Sequence, residues 1–324
     1  MSTPNKPKRS AIKIDLFASQ THISKLDKLG DPLTDIDQLI DIKALSDAVE
    51  QSRPDVDYSR GGRPPYPVET MLRILLIKRL YGLSDEQCEY QLLDRSSHKR
   101  FCKLEDSLSV PDRTTIWNFQ QTLGEDGVTA LFNAIDAQIQ QAGYIARCGQ
   151  LIDATLIKAP IQRNRKKDNE SIKQGDIPED WSEPKRRQKD VEATWTKKHG
   201  NSHFGYKLSV NIDNKHKLIR TYDTDTAKVH DSQHIEVLFD HSNTNKDFYA
   251  DSGYAGEPIR AKLKSHKLRN HIQNKGVRNK PLSACQKRRN KRIAKTRVRV
   301  EHPFAQIHHM GGKMIKTIGQ ARAN

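Results

Sequence analysis

Long hydrophobic runs are missing from this chain of 324 residues. No stretch approaches the ~18 uninterrupted apolar residues of a membrane span, and residues 1–10 lack the apolar segment of a secretory leader. Cysteine is scarce as well. Cys88, Cys102, Cys148 and Cys285 are scattered without CxxC spacing, which argues against a zinc site or a disulfide framework and for a cytoplasmic chain with reduced thiols. Apolar residues make up 35% of the chain and the mean hydropathy is −0.82. Both are low for a chain that is all core, so substantial loops are expected. The third shortage is of acid. Against 56 Lys and Arg stand 40 Asp and Glu, a formal charge of +16 with a sequence pI of about 9.6, and attraction to a polyanion follows.

The length leaves room for two domains, or for one with insertions. Residues 1–59 are polar, with short periodic pieces at 23–29 and 36–49, and are broken by Pro54 and the RGGRPP run at 60–65. This reads as an N-terminal arm, partly helical. From Pro67 the run PVETMLRILLIKRLY sets Val68, Met71, Leu72, Leu75, Leu76 and Leu80 at helical spacing. Gly82 stops it, and Ser84 with Gln87 has the form of a capping box for a second helix. Asp112 then precedes a helix with Ile116, Phe119 and Leu123 on one side, and another amphipathic segment follows at 128–141. Residues 60–145 are thus expected to form an all-α module able to present a helix to a DNA groove, although packing alone produces the same pattern. Arg113, Thr114, Thr115, Asn118 and Gln121 form the polar side of the Asp112 helix and are its candidate DNA contacts.

After Gly143 the periodicity changes. Strands are expected at 149–157, 204–212 and 218–222, with a turn at Asp213–Asn214, then a helix at 230–240 and a strand at 248–250. Strands before helices, with a strand returning later, indicate a mixed α/β sheet over 146–324. Residues 161–200 fit neither period and read as a charged loop or insertion.

Three carboxylates stand out in that second half. Asp153 follows the apolar pair Leu151 and Ile152, Asp251 follows Phe248 to Ala250, and Glu301 lies on a helix expected at 298–310. Acids where a hydrophobic strand stops are poor core material and good oxygen ligands for a hard cation such as Mg²⁺. Converging, they could hold one or two divalent ions, which suits phosphodiester hydrolysis and strand transfer equally. Residues 275–299 carry many cations, Arg288, Arg289 and Arg292 among them, and no acid. Such a run is also what a solvated face or a flexible arm looks like, but here it leads directly into Glu301, which favours phosphate binding. Arg297 lies one turn before Glu301, placed either for a surface ion pair with it or to orient it beside a phosphate. His302, His308 and His309 are poor Mg²⁺ ligands and better suited to DNA or solvent.

The motifs GGRPPYPVETMLRILLIKRLYGLSDEQ (61–87), VPDRTTIWNFQQTL (110–123), LIDATLIKAP (151–160), HFGYKLSVNID (203–213), YADSGYAG (249–256) and RVRVEHPFAQI (297–307) together resemble, in order, the DDE transposases of bacterial insertion sequences, specifically the fifth family within the fourth/fifth group. The resemblance implies an RNase H-like catalytic domain with Asp153, Asp251 and Glu301 as catalytic and metal-binding residues. It implies Mg²⁺, with Mn²⁺ able to substitute, and double-stranded DNA as partner, both terminal inverted repeats and target. It further implies a homodimer or higher oligomer on DNA, no membrane, and a cytoplasmic, nucleoid-associated location. Two departures from the family pattern stand out. His308 holds the position where the family commonly has a DNA-contacting lysine, the nearest downstream lysine being Lys313, and few residues follow Gly319 where the family has a longer helical tail. The alternatives are a truncated, inactive transposase acting as a DNA-binding repressor, and a general metal nuclease.

Overall fold

The computed structural model of the protein describes residues 16–53, 61, 64–198, 200–230, 232–233 and 235–323. Residues 1–15 and, apart from Gly61, residues 54–63 lie outside the described residues.

The periodic pieces before residue 54 are helices, and the second of them is core-forming, whereas the first buries no residue. Helix α1 (Ala18–Leu29) is followed by α2 (Pro32–Leu39) and α3 (Ile42–Ser52). The single stretch expected at 36–49 is divided because Asp41 caps α3, its carboxylate accepting from Ala44 N at 3.0 Å. Leu33, Ile42, Leu45 and Val49 are buried in one cluster with Met71, Ile74 and Ile77 of α4 (Val68–Leu80). Over the described residues, α2 and α3 thus share one hydrophobic core with the helices that follow residue 66. Helix α5 (Asp85–Asp94) starts on the Ser84–Gln87 capping box, and α6 (Ser96–Phe101) follows. Helix α7 (Arg113–Gln141) is capped by Asp112 and bends at Gly124, whose φ of 62° is unfavourable for a residue with a Cβ. Its first limb lies in the helical core. The second carries Phe132 edge-on to Tyr222 of the sheet, and Asp136, which accepts from buried Arg220 at 2.7 Å.

The second half is a mixed sheet of β1 (Gln150–Lys158), β2 (Thr194–Lys198), β3 (Asn201–Asp213), β4 (Ile219–Thr226), β5 (Asp247–Ala250) and β6 (Arg269–Ile272). Its order is β2-β3-β1-β5-β6, with β4 also on β3. Pairings among β1 to β4 are antiparallel, whereas β5 and β6 run parallel to β1. The region at 161–200 is more ordered than a loop. It holds α8 (Lys166–Gln174), α9 (Glu183–Arg187) and strand β2, with buried Trp181 donating to Asp168 and Tyr206 donating to buried Asp190.

The helix expected at 230–240 is absent from the described residues there, which form turns. Ile235, Leu238 and Phe239 do pack on the sheet, which explains their spacing. Their backbone is held by sheet side chains in place of helical bonds: Leu238 O accepts from Asn211 and Thr221, and Asp240 N donates to Gln150. After β5 come α10 (Glu257–Ser265), then α11 (Ala284–Arg297), a single 3₁₀ turn at Val298–Val300, α12 (Glu301–His309) and α13 (Gln320–Ala323). No helix among the described residues is long and apolar enough to cross a membrane.

Candidate functional site

Side chains alternate across a strand. Leu151 and Tyr249 therefore share one face of the sheet and pack with Val300, while Ile152, Phe248 and Ala250 fill the core on the other face. Asp153 and Asp251 each lie two residues beyond the first set, so both belong to the face covered by Val300. The parallel register pairs Gln150 with Phe248 and Leu151 with Tyr249. Continued by two residues, past the end of β5, that register would set Asp153 level with Asp251, whose charge does act on the Asp153 carboxyl. Gly149, at φ +90°, permits the close approach of the two strands at their start: a Cβ there would lie 2.6 Å from Asp247 O.

Asp153 is not at a strand end as its apolar run implies, since β1 continues five residues further, to Lys158. Its Oδ1 accepts from Ala154 N at 2.8 Å and its Oδ2 from Arg297 Nη2 at 2.9 Å. Burial pushes the Asp153 carboxyl above its ordinary value, opposed by the Arg297 guanidinium and reinforced by nearby Asp251. Asp251 does stand at the end of its strand. It caps the 3₁₀ turn Ser252–Tyr254, its Oδ1 accepting from Gly253 N at 2.7 Å.

The helical run over this face brings Arg297, Val300 and Glu301 in succession. Val300 is buried against Leu151, Val210 and Ile212. Arg297 is not paired with Glu301. Its guanidinium spans from Asp153 to Gln273 Oε1 at 3.2 Å, and the backbone N–H of Gln273 donates to Ala250 O, next to Asp251. The physical reason is burial: Arg297 is only 17% exposed and faces Asp153, whereas Glu301 is exposed at the start of α12. Among the described residues no group of three or more His, Cys, Asp or Glu is gathered tightly enough to hold a metal ion. Asp251 lies near enough to act electrostatically on the Asp153 carboxyl, and Glu301, four residues after Arg297, opens α12 with its side chain exposed. In chemistry the donor set is carboxylate oxygen, the kind a hard divalent cation takes, and the burial that disfavours a charged Asp153 is a cost that such a cation would offset.

The flanking candidates divide. In α11, Arg288 and Arg292 are exposed, but Arg289 is turned inward and donates to Ile272 O at 2.7 Å and Asn270 O at 2.9 Å, anchoring the helix to β6. His308 is exposed on α12, two turns after Glu301 and on nearly the same side. On α7, Thr114 and Asn118 are exposed and Thr115 is half-buried. Arg113 is exposed too, with its backbone N–H donating to Glu89 and its guanidinium 3.9 Å from Glu86. Two site residues escaped the sequence. Lys198, which helps draw the Asp153 carboxyl down, ends a strand in the supposed loop. Gln273 follows β6, whose four residues carry no periodic signal.

No solved structure matches the chain. The family model for a transposase DDE domain matches residues 145–324, and one described as Transposase domain (DUF772) matches residues 21–122. The first covers the sheet, both strand carboxylates and Glu301; the second covers most of the helical module, α2 and α3 included. On these matches the chain belongs to the DDE transposases of insertion sequences.

Proposed function

We propose that the protein cuts DNA at the terminal inverted repeats of its element and joins the freed ends to target DNA, with Asp153, Asp251 and Glu301 as catalytic residues of an RNase H-like domain. The observation that supports this reading is the parallel β1–β5 pairing just ahead of Asp153 and Asp251, with Arg297, four residues before Glu301, bonded to Asp153. In the first step a water oxygen bonds to phosphorus and the bond to the 3′ oxygen breaks, leaving a 3′-hydroxyl. In the second, that hydroxyl attacks a target phosphodiester in the same way. Asp153, Asp251 and Glu301 would hold Mg²⁺, or Mn²⁺ in its place, which when bound activates the attacking oxygen and neutralises charge on the leaving one. Arg297 fixes the Asp153 carboxylate and ties it through Gln273 to the strand that carries Asp251.

DNA is held, on this reading, by two surfaces. Arg288 and Arg292 on the outer side of α11 are phosphate contacts, with His308 on α12 and with Arg297 deeper in the site. Thr114, Thr115 and Asn118, with Arg113 at their edge, read the terminal repeat from α7. The protein works as a homodimer or higher oligomer on DNA, in the cytoplasm at the nucleoid.

A second reading, a transposase that binds element ends without turnover and represses transposition, is favoured by two observations. Glu301 is exposed, and Arg297 already neutralises Asp153. The two readings separate on incubation of the protein and Mg²⁺ with duplex DNA carrying the element's own termini. Nicks at the repeat boundary, lost with chelator or with scrambled termini, are expected from the enzyme. Tight binding with no nicks supports the repressor, and equal cutting of scrambled DNA supports a general nuclease.

A further inference from the structure

Helix α5 is strongly acidic in a basic chain. Its ten residues hold Asp85, Glu86, Glu89 and Asp94 and no Lys or Arg, against a net charge of +16 overall. Its inner side gives Cys88 and Leu92 to the core. Its outer side leaves Tyr90 67% and Leu93 55% exposed. The neighbouring limb of α7 adds Trp117, 46% exposed and one turn beyond Arg113, the residue that meets Glu86 and Glu89. Exposed Tyr and Trp beside an aliphatic side chain mark protein interfaces more than solvated faces. The acids around them disfavour phosphate, so this flank of the α5–α7 pair is not suited to DNA.

We propose that this flank docks a second copy of the chain by receiving its turn at 275–280. That turn is the complement in both respects. It is closed by Lys280 N donating to Val277 O at 3.0 Å, and it presents Val277, 59% exposed, among the exposed cations Lys275, Arg278 and Lys280. Val277 supplies the apolar contact for Tyr90, Leu93 and Trp117, and the cations face Glu86, Glu89 and Asp94. Two copies exchanging turns about a twofold axis make this contact twice, which closes the assembly as a dimer. The outward Thr114 and Asn118 and the α11 stripe stay free for DNA. The proposal goes beyond the assembly on DNA given above, since it requires neither DNA nor catalysis.

The test is the mass of the full-length protein, measured without DNA by sedimentation velocity at about 0.1 M and about 1 M salt. A dimer that weakens at the higher salt is expected. Tyr90→Ser with Leu93→Ser should weaken it at least about tenfold, as should Glu86→Lys with Asp94→Lys. Adding Arg278→Glu and Lys280→Glu to the second variant should restore it, a rescue that misfolding cannot mimic. A monomeric wild type overturns the proposal, as does a charge-swapped chain that fails to regain the dimer. So does a Tyr90/Leu93 variant that keeps its mass while losing affinity for duplex DNA, which would make the flank a DNA face.

Discussion

Replacing Arg297 by Met keeps most of the aliphatic stem and removes the charge that faces Asp153. The lost bond is a 2.9 Å guanidinium–carboxylate contact between side chains 17% and 26% exposed. A charge-assisted hydrogen bond of this kind contributes about 1.5–3 kcal/mol, and the residual solvent access places it in the lower half of that range. In a double-mutant cycle of Arg297→Met and Asp153→Asn, a coupling energy of about 1.5–2 kcal/mol is therefore expected at neutral pH. With a urea m-value of about 3 kcal/mol/M, this corresponds to about 0.5–0.7 M of midpoint. The pH dependence follows from burial, which raises the Asp153 carboxyl above its ordinary value. The folded protein then binds that proton more tightly than the unfolded chain does. Stability from this group is fully present below the ordinary carboxylate pKa and is lost as pH rises through the raised one. Removing Arg297 raises the Asp153 pKa further. The deficit of Arg297→Met should thus be largest near neutral pH and shrink on acidification as Asp153 takes up its proton. Urea denaturation of the four proteins at pH values either side of the carboxylate range measures both effects. Additivity within about 0.3 kcal/mol would refute the link between these residues, and so would a deficit that grows toward acid.

The cations of α11 should separate by their geometry. Arg288→Ala with Arg292→Ala should weaken binding to every duplex and lower the salt slope by about two, read from titrations across salt concentrations; an unchanged slope removes the phosphate track. Arg289→Met should instead destabilise the fold by about 1–3 kcal/mol with little change in that slope, because its donors serve Ile272 and Asn270. Arg220→Met should be the costliest of these substitutions, about 3–5 kcal/mol, since it leaves Asp213 buried and strips Asp136 of its partner where α7 meets the sheet; a loss under about 1 kcal/mol in urea melts would show that this junction does not depend on the charge.

Local signals in the sequence read well where local physics decides the structure. The Ser84–Gln87 box, the Asp112 cap and the strands leading to Asp153 and Asp251 all rest on neighbours in the chain. What was hidden depends on contacts distant in sequence. Strand β2 is exposed and charged and exists because β3 pairs with it. The turns at 230–240 carry a helix-like spacing of Ile235, Leu238 and Phe239, but Asn211 and Gln150 take up the backbone groups that a helix would have used. Arg297 is one turn from Glu301, so helical spacing favours that pair; only the sheet reveals Asp153, 144 residues away, as the partner. The same limit hid the role of α2 and α3, whose few apolar residues look incidental until Leu33 and Val49 are seen against α4.

The central claim is that Asp153, Asp251 and Glu301 act together at one metal site. It is tested most directly by end cleavage with Mg²⁺ for Asp153→Asn, Asp251→Asn and Glu301→Gln, each compared with wild type at matched occupancy of terminal-repeat DNA. Each substitution removes a candidate ligand with almost no change in volume, so all three should bind the DNA as wild type does and cut it at least about a thousandfold more slowly. Cleavage by Glu301→Gln at the wild-type rate would contradict the account, leaving a two-carboxylate site in which the exposed position of Glu301 is its true one.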